Sequence, residues 1–164
     1  DFEQRIVSRD IQTKKEAITE YIENDGVTVG ICGGFQLLGH YYVDAAGNRL
    51  NGIGALNHYT LNQDNNRFIG DIIIKNDEFG ETYKGFENHN GRTFLGEGVK
   101  PLGIVETGYG NNGEDKTEGA HYKQTYCSDF HEPLLVRDTA LTDRILKEAG
   151  KKRFPKEAEE LFDI

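Results

Sequence analysis

Gly30-Ile31-Cys32-Gly33-Gly34 has the form Gly-x-Cys-x-Gly. A reactive side chain presented between a strand and a helix must sit on a very tight turn, and small residues two before and two after it keep that turn free of clashes. Such a turn would place Cys32 at the N-terminus of the next helix. The helix dipole and the free amides there lower a thiol's pKa toward thiolate. The amide of Gly33 would point at an oxyanion formed when sulfur attacks a carbonyl. The competing reading is a buried packing cysteine beside a glycine turn. The order strand, Gly-x-Cys-Gly-Gly, helix favours the nucleophile.

A cysteine nucleophile needs a base, usually histidine. His40, His58, His89, His121 and His131 are available. His131 is favoured, because it follows a strand-like run, Gln124–Tyr126, and precedes Pro133-Leu134-Leu135, where the chain turns away. Strand ends are where open α/β sheets build sites. His40 falls on the nucleophile's own helix and should point away from the turn. His89 lies in the polar run Phe86–Thr93, which reads as a pocket lining.

The elements that must position these residues are legible in outline. Thr13-Lys14-Lys15-Glu16 reads as a capping box opening a helix, with Ala17, Ile18, Tyr21 and Ile22 as its apolar stripe and Gly26 as its left-handed stop. Val27–Ile31 reads as a strand apolar on both faces, hence central in a parallel sheet. A helix over Phe35–Tyr42 follows. Between Tyr42 and Asp138 the chain predicts no long helix. Arg67–Lys75, Leu102–Thr107 and Gly119–Lys123 read as strands of an antiparallel or mixed extension, with turn clusters at Asn62–Asn66, Asn76–Gly80 and Asn111–Gly113. Thr139–Ala149 predicts a helix carrying Leu141, Ile145 and Leu146 on one side, and Lys156–Phe162 a short terminal helix or a tail that docks on a partner. All 164 residues fit one α/β domain.

Composition excludes several classes. A formal net charge of −9 disfavours a nucleic-acid binder or a basic membrane-surface helix. The longest apolar runs, such as Ile72-Ile73-Ile74, are of strand length, so direct membrane insertion is not expected. Two cysteines make no disulfide framework or zinc site, and Asp1–Arg5 has no signal pattern; a reduced, cytoplasmic setting is the simpler reading.

Gly30-Ile31-Cys32-Gly33-Gly34-Phe35-Gln36-Leu37-Leu38-Gly39 resembles the nucleophile motif of class I glutamine amidotransferases. Gly85-Phe86-Glu87-Asn88-His89-Asn90-Gly91-Arg92-Thr93 is similar to the Gly-Tyr-Glu-x-His-x-Gly-Arg-Thr motif of their cobyric-acid-synthase-like branch. Asn65–Asp71, Gly108–Asn112 and Phe130–Leu135 fit the same branch. The resemblance implies a flavodoxin-like sheet with flanking helices, Cys32 as nucleophile, His131 as base, the Gly33 amide in the oxyanion site, Gln36 shaping the site and Arg67 holding the substrate glutamine. A guanidinium suits an α-carboxylate by bidentate pairing. The implied reaction is hydrolysis of L-glutamine through a cysteine thioester. Its ammonia would serve ATP-dependent amidation of the D-glutamate of the lipid II stem by a MurT-like Mur ligase subunit. This subunit would itself use no metal or cofactor, ATP and Mg being expected on the partner. A cobyrinate-type amidotransferase subunit and an inactive subunit that only binds a partner are the alternatives.

Against the family pattern, the N-terminal strand–helix portion, with the loop completing the oxyanion hole, is expected upstream of Asp1 and is missing here. Glu132 replaces a usual glycine, and Pro133 stands where an acid would orient the histidine. Glu132, Asp129 or a partner's acid are the candidates for that role.

Overall fold

The computed structural model describes residues 2–63, 66–131, 139–153 and 155. The expected terminal helix, Glu132, Pro133 and part of the Asn62–Asn66 turn lie outside them. Helix α1 spans Phe2–Gln12, and α2 spans Lys15–Glu23. The first was not expected, and the capping box is not formed. Thr13 Oγ1 instead donates to the Asp10 carbonyl at 2.7 Å, closing α1, and Lys14 stands at the start of α2 with no side-chain cap. The left-handed residue after α2 is Asp25 (φ 59°), one position before the glycine expected there.

Strand β1 (Thr28–Ile31) leads into the short helix α3 (Gly33–Leu38). That helix is shorter than its sequence suggests. It stops at Gly39, which is extended (φ −80°, ψ −170°) and packs where a Cβ would stand 2.5 Å from the His58 ring. The aromatic and β-branched Tyr41-Tyr42-Val43 then forms β2, as such residues prefer. Strands β3 (Arg49–Asn51), β4 (His58–Asn62), β5 (Phe68–Asn76), β6 (Glu81–His89), β7 (Gly91–Leu95), β8 (Gly103–Thr107), β9 (Thr117–Glu118), β10 (Ala120–Tyr122), β11 (Thr125–Ser128) and β12 (Phe130–His131) follow, and α4 spans Thr139–Arg153.

The strands form three sheets, ordered β1-β11-β10, β12-β6-β5-β8-β9 and β3-β2-β4-β7. The long β5–β6 hairpin is antiparallel from Phe68↔His89 to Asn76↔Glu81, which settles the character of the middle region. Strand β1 is not central among the described residues. It pairs in parallel with β11 alone, from Thr28↔Thr125 to Ile31↔Ser128, and Val29 is 39% exposed.

Alternation decides the core. In β5, Phe68, Ile72 and Ile74 point inward while Ile69, Asp71 and Lys75 face solvent. In β11, Tyr126 joins one apolar cluster with Ile72, Ile74, Tyr83, Leu102, Phe130, Leu141 and Ile145, and its neighbour Cys127 joins another with Ile22, Phe35, Leu38, Ile53 and Leu56. The end of β11 therefore sits between the two clusters, and the elbow is built there. Leu146 of α4 departs from its expected face and is exposed. Leu141 and Ile145 still seat that helix on the core, and Arg144 adds to them by pairing with both carboxylate oxygens of Glu81 at 2.6 and 3.0 Å and lying over the Phe79 ring.

Candidate active site

Cys32 lies between β1 and α3 with φ 48° and ψ −110°, a conformation that side chains other than glycine rarely adopt. The turn is pinned at both ends. The Cys32 N–H donates to the Ser128 carbonyl at 3.0 Å, and the Gln36 N–H donates back to the Cys32 carbonyl at 3.1 Å. A Cβ on Gly30 would stand 2.9 Å from Cys127 Sγ and 3.0 Å from Leu38 Cδ1, so the glycine two before the nucleophile is required sterically. The glycine two after is not: a Cβ on Gly34 meets nothing within 4 Å among the described residues.

The Cys32 side chain opens into a cavity of about 370 Å³ lined by Gly33, Gln36, Arg67, His89, Asp129 and His131, among others. All five residues singled out by sequence thus line one cavity. His131 is exposed at the rim, at the end of a two-residue strand whose register is Phe130↔Glu87 and His131↔Phe86. None of the described carboxylates hydrogen-bonds it. Arg67 is exposed, with Nη1 donating to Asn88 Oδ1 at 2.6 Å. It is held in place from below: buried Arg92 donates to the Asn66 and Asn90 carbonyls and lies 3.4 Å over the Phe68 ring. Gln36 reaches the Gly91 turn, where a Cβ would stand 3.0 Å from its amide nitrogen.

Electrostatics departs from the sequence reading at one point. The thiol was expected to be acidic; burial first, then the charges of Asp129 and Glu118, push it up to about 12. The helix beyond it is only six residues long, and two acids lie behind it. Cys32 therefore rests as a thiol whose Sγ faces the carbonyls of Asp129 and Phe130 at 3.9 and 3.8 Å. Its activation needs a base that takes the proton during attack.

The other histidines separate by their partners. His89 Nδ1 donates to the Gly91 carbonyl at 2.9 Å and Nε2 to Glu87 Oε2 at 3.3 Å. Both nitrogens must carry hydrogen, so His89 is an imidazolium without a lone pair for base work. Burial opposes that charge, but Glu87, Asp129, the Gly91 carbonyl and Glu118 outweigh it and raise the pKa to about 9. His58 is buried against the Phe35 carbonyl, and burial lowers it to about 4. His40 is exposed on Asn57. His121 stacks on Tyr126 outside the cavity.

Residues 1–139 match the CobB/CobQ-like glutamine amidotransferase domain. The chain belongs to that family. The amidotransferase domain is 58% identical over 154 residues to the lipid II isoglutaminyl synthase (glutamine-hydrolyzing) subunit GatD of Streptococcus pneumoniae, covering 94% of this chain and 59% of that one. It is 42% identical over 162 residues to the same subunit of Staphylococcus aureus, covering 98% of this chain and 65% of that one. A probable cobyric acid synthase of Methanothermobacter thermautotrophicus is 38% identical over 115 residues, 62% of this chain and 22% of the other. The chain thus spans about three-fifths of the length of the GatD relatives it matches. A crystal structure of a glutamine amidotransferase superposes with a TM-score of 0.58 at 20% identity, covering 83% of this chain and 68% of that one, a likeness of fold.

Around the amidotransferase cavity, sequence reasoning missed Glu118 and Arg92 as structural parts of the site. Arg92 sat inside the Phe86–Thr93 run, of which His89 alone was weighed for a role. Glu118 carried no local signal at all, being one acid among 28 acidic residues.

Proposed function

We propose that this chain is the glutaminase part of a two-subunit amidotransferase, with L-glutamine as substrate. The observation that supports it is the left-handed Cys32 elbow opening into the same cavity as His131 and Arg67. In this reading Arg67 exchanges Asn88 for the substrate α-carboxylate, setting the carboxamide carbon against the sulfur. His131 takes the thiol proton as the S–C bond forms, which a thiol with so high a pKa requires. The Gly33 amide donates to the oxyanion. Imidazolium then protonates the leaving nitrogen, the C–N bond breaks and ammonia departs, leaving the γ-glutamyl thioester. Water, deprotonated by His131, attacks the thioester and releases glutamate and the thiol.

The GatD likeness supports a destination for the ammonia: amidation of the lipid II stem's D-glutamate by a Mur-ligase-like partner that binds ATP and Mg. A cytoplasmic setting suits that substrate and the two free thiols. Among the described residues no helix is long and apolar enough to cross a membrane. The likeness to cobyric acid synthases supports a second reading, in which the acceptor is a cobyrinate-type carboxylate; identifying the co-purified subunit separates the two.

A glutaminase assay on the full-length protein, alone and with its partner, tests the reaction. Cys32→Ala should abolish ammonia release, and a diazoketone analogue of glutamine should label Cys32 in the parent. Ammonia release that survives Cys32→Ala sinks the proposal.

A further inference from the structure

Behind the elbow lies a carboxyl group to which neither the motif nor the proposed reaction gives a role. Glu118, at the end of β9, is fully buried. Its Oε1 accepts from Ser128 Oγ at 2.9 Å and from the Asp129 N–H at 2.8 Å. Ser128 Oγ in turn accepts from the Phe130 N–H at 3.0 Å. One carboxylate oxygen thus locks three successive residues. Those residues are the ones that touch the nucleophile: the Ser128 carbonyl holds the Cys32 amide, the Asp129 and Phe130 carbonyls face its sulfur, and His131 comes next. Glu118 is braced from the far side. Buried Asn111 donates to the carbonyl of left-handed Gly119 at 3.0 Å and accepts from its N–H at 2.9 Å.

The remaining oxygens carry a second message. Glu118 Oε2 and Asp129 Oδ2 are both buried and both without a hydrogen-bond partner. Unpaired charge in such a space is costly, so the two acids cannot both ionise freely. Glu118 is faced by Asp129, His89 and Ser128; Asp129 is faced by His89 and Glu87 of β6 and by Arg92 of β7; the Cys32 thiol senses both acids. Burial and then the Asp129 charge raise Glu118 to about 8, while burial, moderated by His89, leaves Asp129 at about 6. Near neutrality Glu118 holds its proton. Above that range it puts a second anion behind the thiol.

We propose that Glu118 is a positioning residue for the nucleophile and base. Its carboxyl group is the strut that fixes the Ser128–His131 turn against the elbow, and its ionisation governs how readily Cys32 gives up its proton. The inference rests on the glutaminase reading for its catalytic consequence, but the thiol itself reports on it independently.

The test compares Glu118→Gln with Glu118→Ala in the full-length protein. Glutamine keeps an acceptor for Ser128 and Asp129 and removes the ionisation. Iodoacetamide alkylation of Cys32, located by mass spectrometry and followed between about pH 7 and 10, reads the thiolate fraction. Glu118→Gln should alkylate several-fold faster than the parent at the alkaline end, and should hydrolyse glutamine within about twofold of the parent at neutral pH, because the strut persists. Ser128→Ala, which removes the middle of the relay with little change in volume, should lower kcat roughly tenfold and leave KM unchanged. Glu118→Ala should lose far more, and glutamine at this position should rescue it. Identical alkylation profiles for Glu118→Gln and the parent would overturn the proposal. So would a folded Glu118→Gln as inactive as Glu118→Ala. If the alkylation profile shifts while the parent hydrolyses no glutamine, the coupling of Glu118 to the Cys32 thiol stands and the glutaminase reading fails.

Discussion

Behind the wall of the cavity, Glu87 uses both carboxylate oxygens: Oε1 accepts from the Tyr109 N–H at 2.7 Å, and Oε2 from the Gly110 N–H at 3.0 Å and from His89. On the floor behind the elbow, Glu118 and Asp129 each leave one buried oxygen bare. Both regions are buried and carry carboxyl groups. Glu87 and His89 are fully paired, which suits a support that must keep its shape while substrate comes and goes. The floor is under-paired, which makes it responsive to protons. Pairing, more than burial, separates a rigid scaffold from a titratable one.

The comparison can be broken most forcefully at the wall. Glu87→Ala leaves the His89 imidazolium and two backbone N–H groups without their acceptor, and should destabilise by about 3–5 kcal/mol in urea unfolding. A loss no larger than that of a surface substitution would show that the wall is not a paired network. At the floor, Gly30→Ala puts a Cβ against Cys127 Sγ and should cost about 1–3 kcal/mol by overpacking. Adding Cys127→Ala should recover part of that loss, a coupling readable in a double-mutant cycle.

Proton linkage sharpens the contrast. Three groups have folded pKa values above their ordinary ones: Asp129 at about 6, Glu118 at about 8 and His89 at about 9. Each contributes stability that is present below its unfolded pKa and lost as pH rises through its folded value. Thermal unfolding should therefore show these groups lowering Tm from about pH 4, where the carboxyls ordinarily titrate, to about pH 9. Glu118→Gln should flatten the part of that fall below about pH 8, leaving the His89 limb. Arg67→Lys, at an exposed position, should leave Tm unchanged and raise the KM for glutamine roughly tenfold, because a point charge replaces a fork. The smallest effect is expected at Gly34→Ala, within about 0.5 kcal/mol, since a Cβ there meets open space.

How much of this was legible depended on whether the signal was local. The elbow was, because Gly-x-Cys-x-Gly between a strand and a helix encodes a turn within five residues. The β5 strand was as well, from its run of isoleucines. The end of α3 at Gly39 was not, because it depends on a close approach to His58, nineteen positions away. The acidic thiol expected of Cys32 failed for the same reason: Glu118 and Asp129 lie about 90 positions away in sequence and reach the elbow only through the β1–β11 register. Capping was misread at Thr13, whose hydroxyl serves the helix before it, a helix the sequence did not announce.

Among the described residues β1 is paired on one side alone, which has a consequence for how copies of these 164 residues, prepared by themselves, behave toward one another in solution. The second side of β1 meets no strand among the described residues, Val29 is exposed there, and an edge of this kind can pair with another strand. At low ionic strength a net charge of −9 keeps copies apart. Added salt shortens the reach of that repulsion, to about 10 Å at 0.1 M and about 3 Å at 1 M, while leaving the strand edge as adhesive as before. Colloidal stability should accordingly fall with salt: light scattering of the 164 residues alone will rise as sodium chloride is added, and Val29→Lys will suppress it.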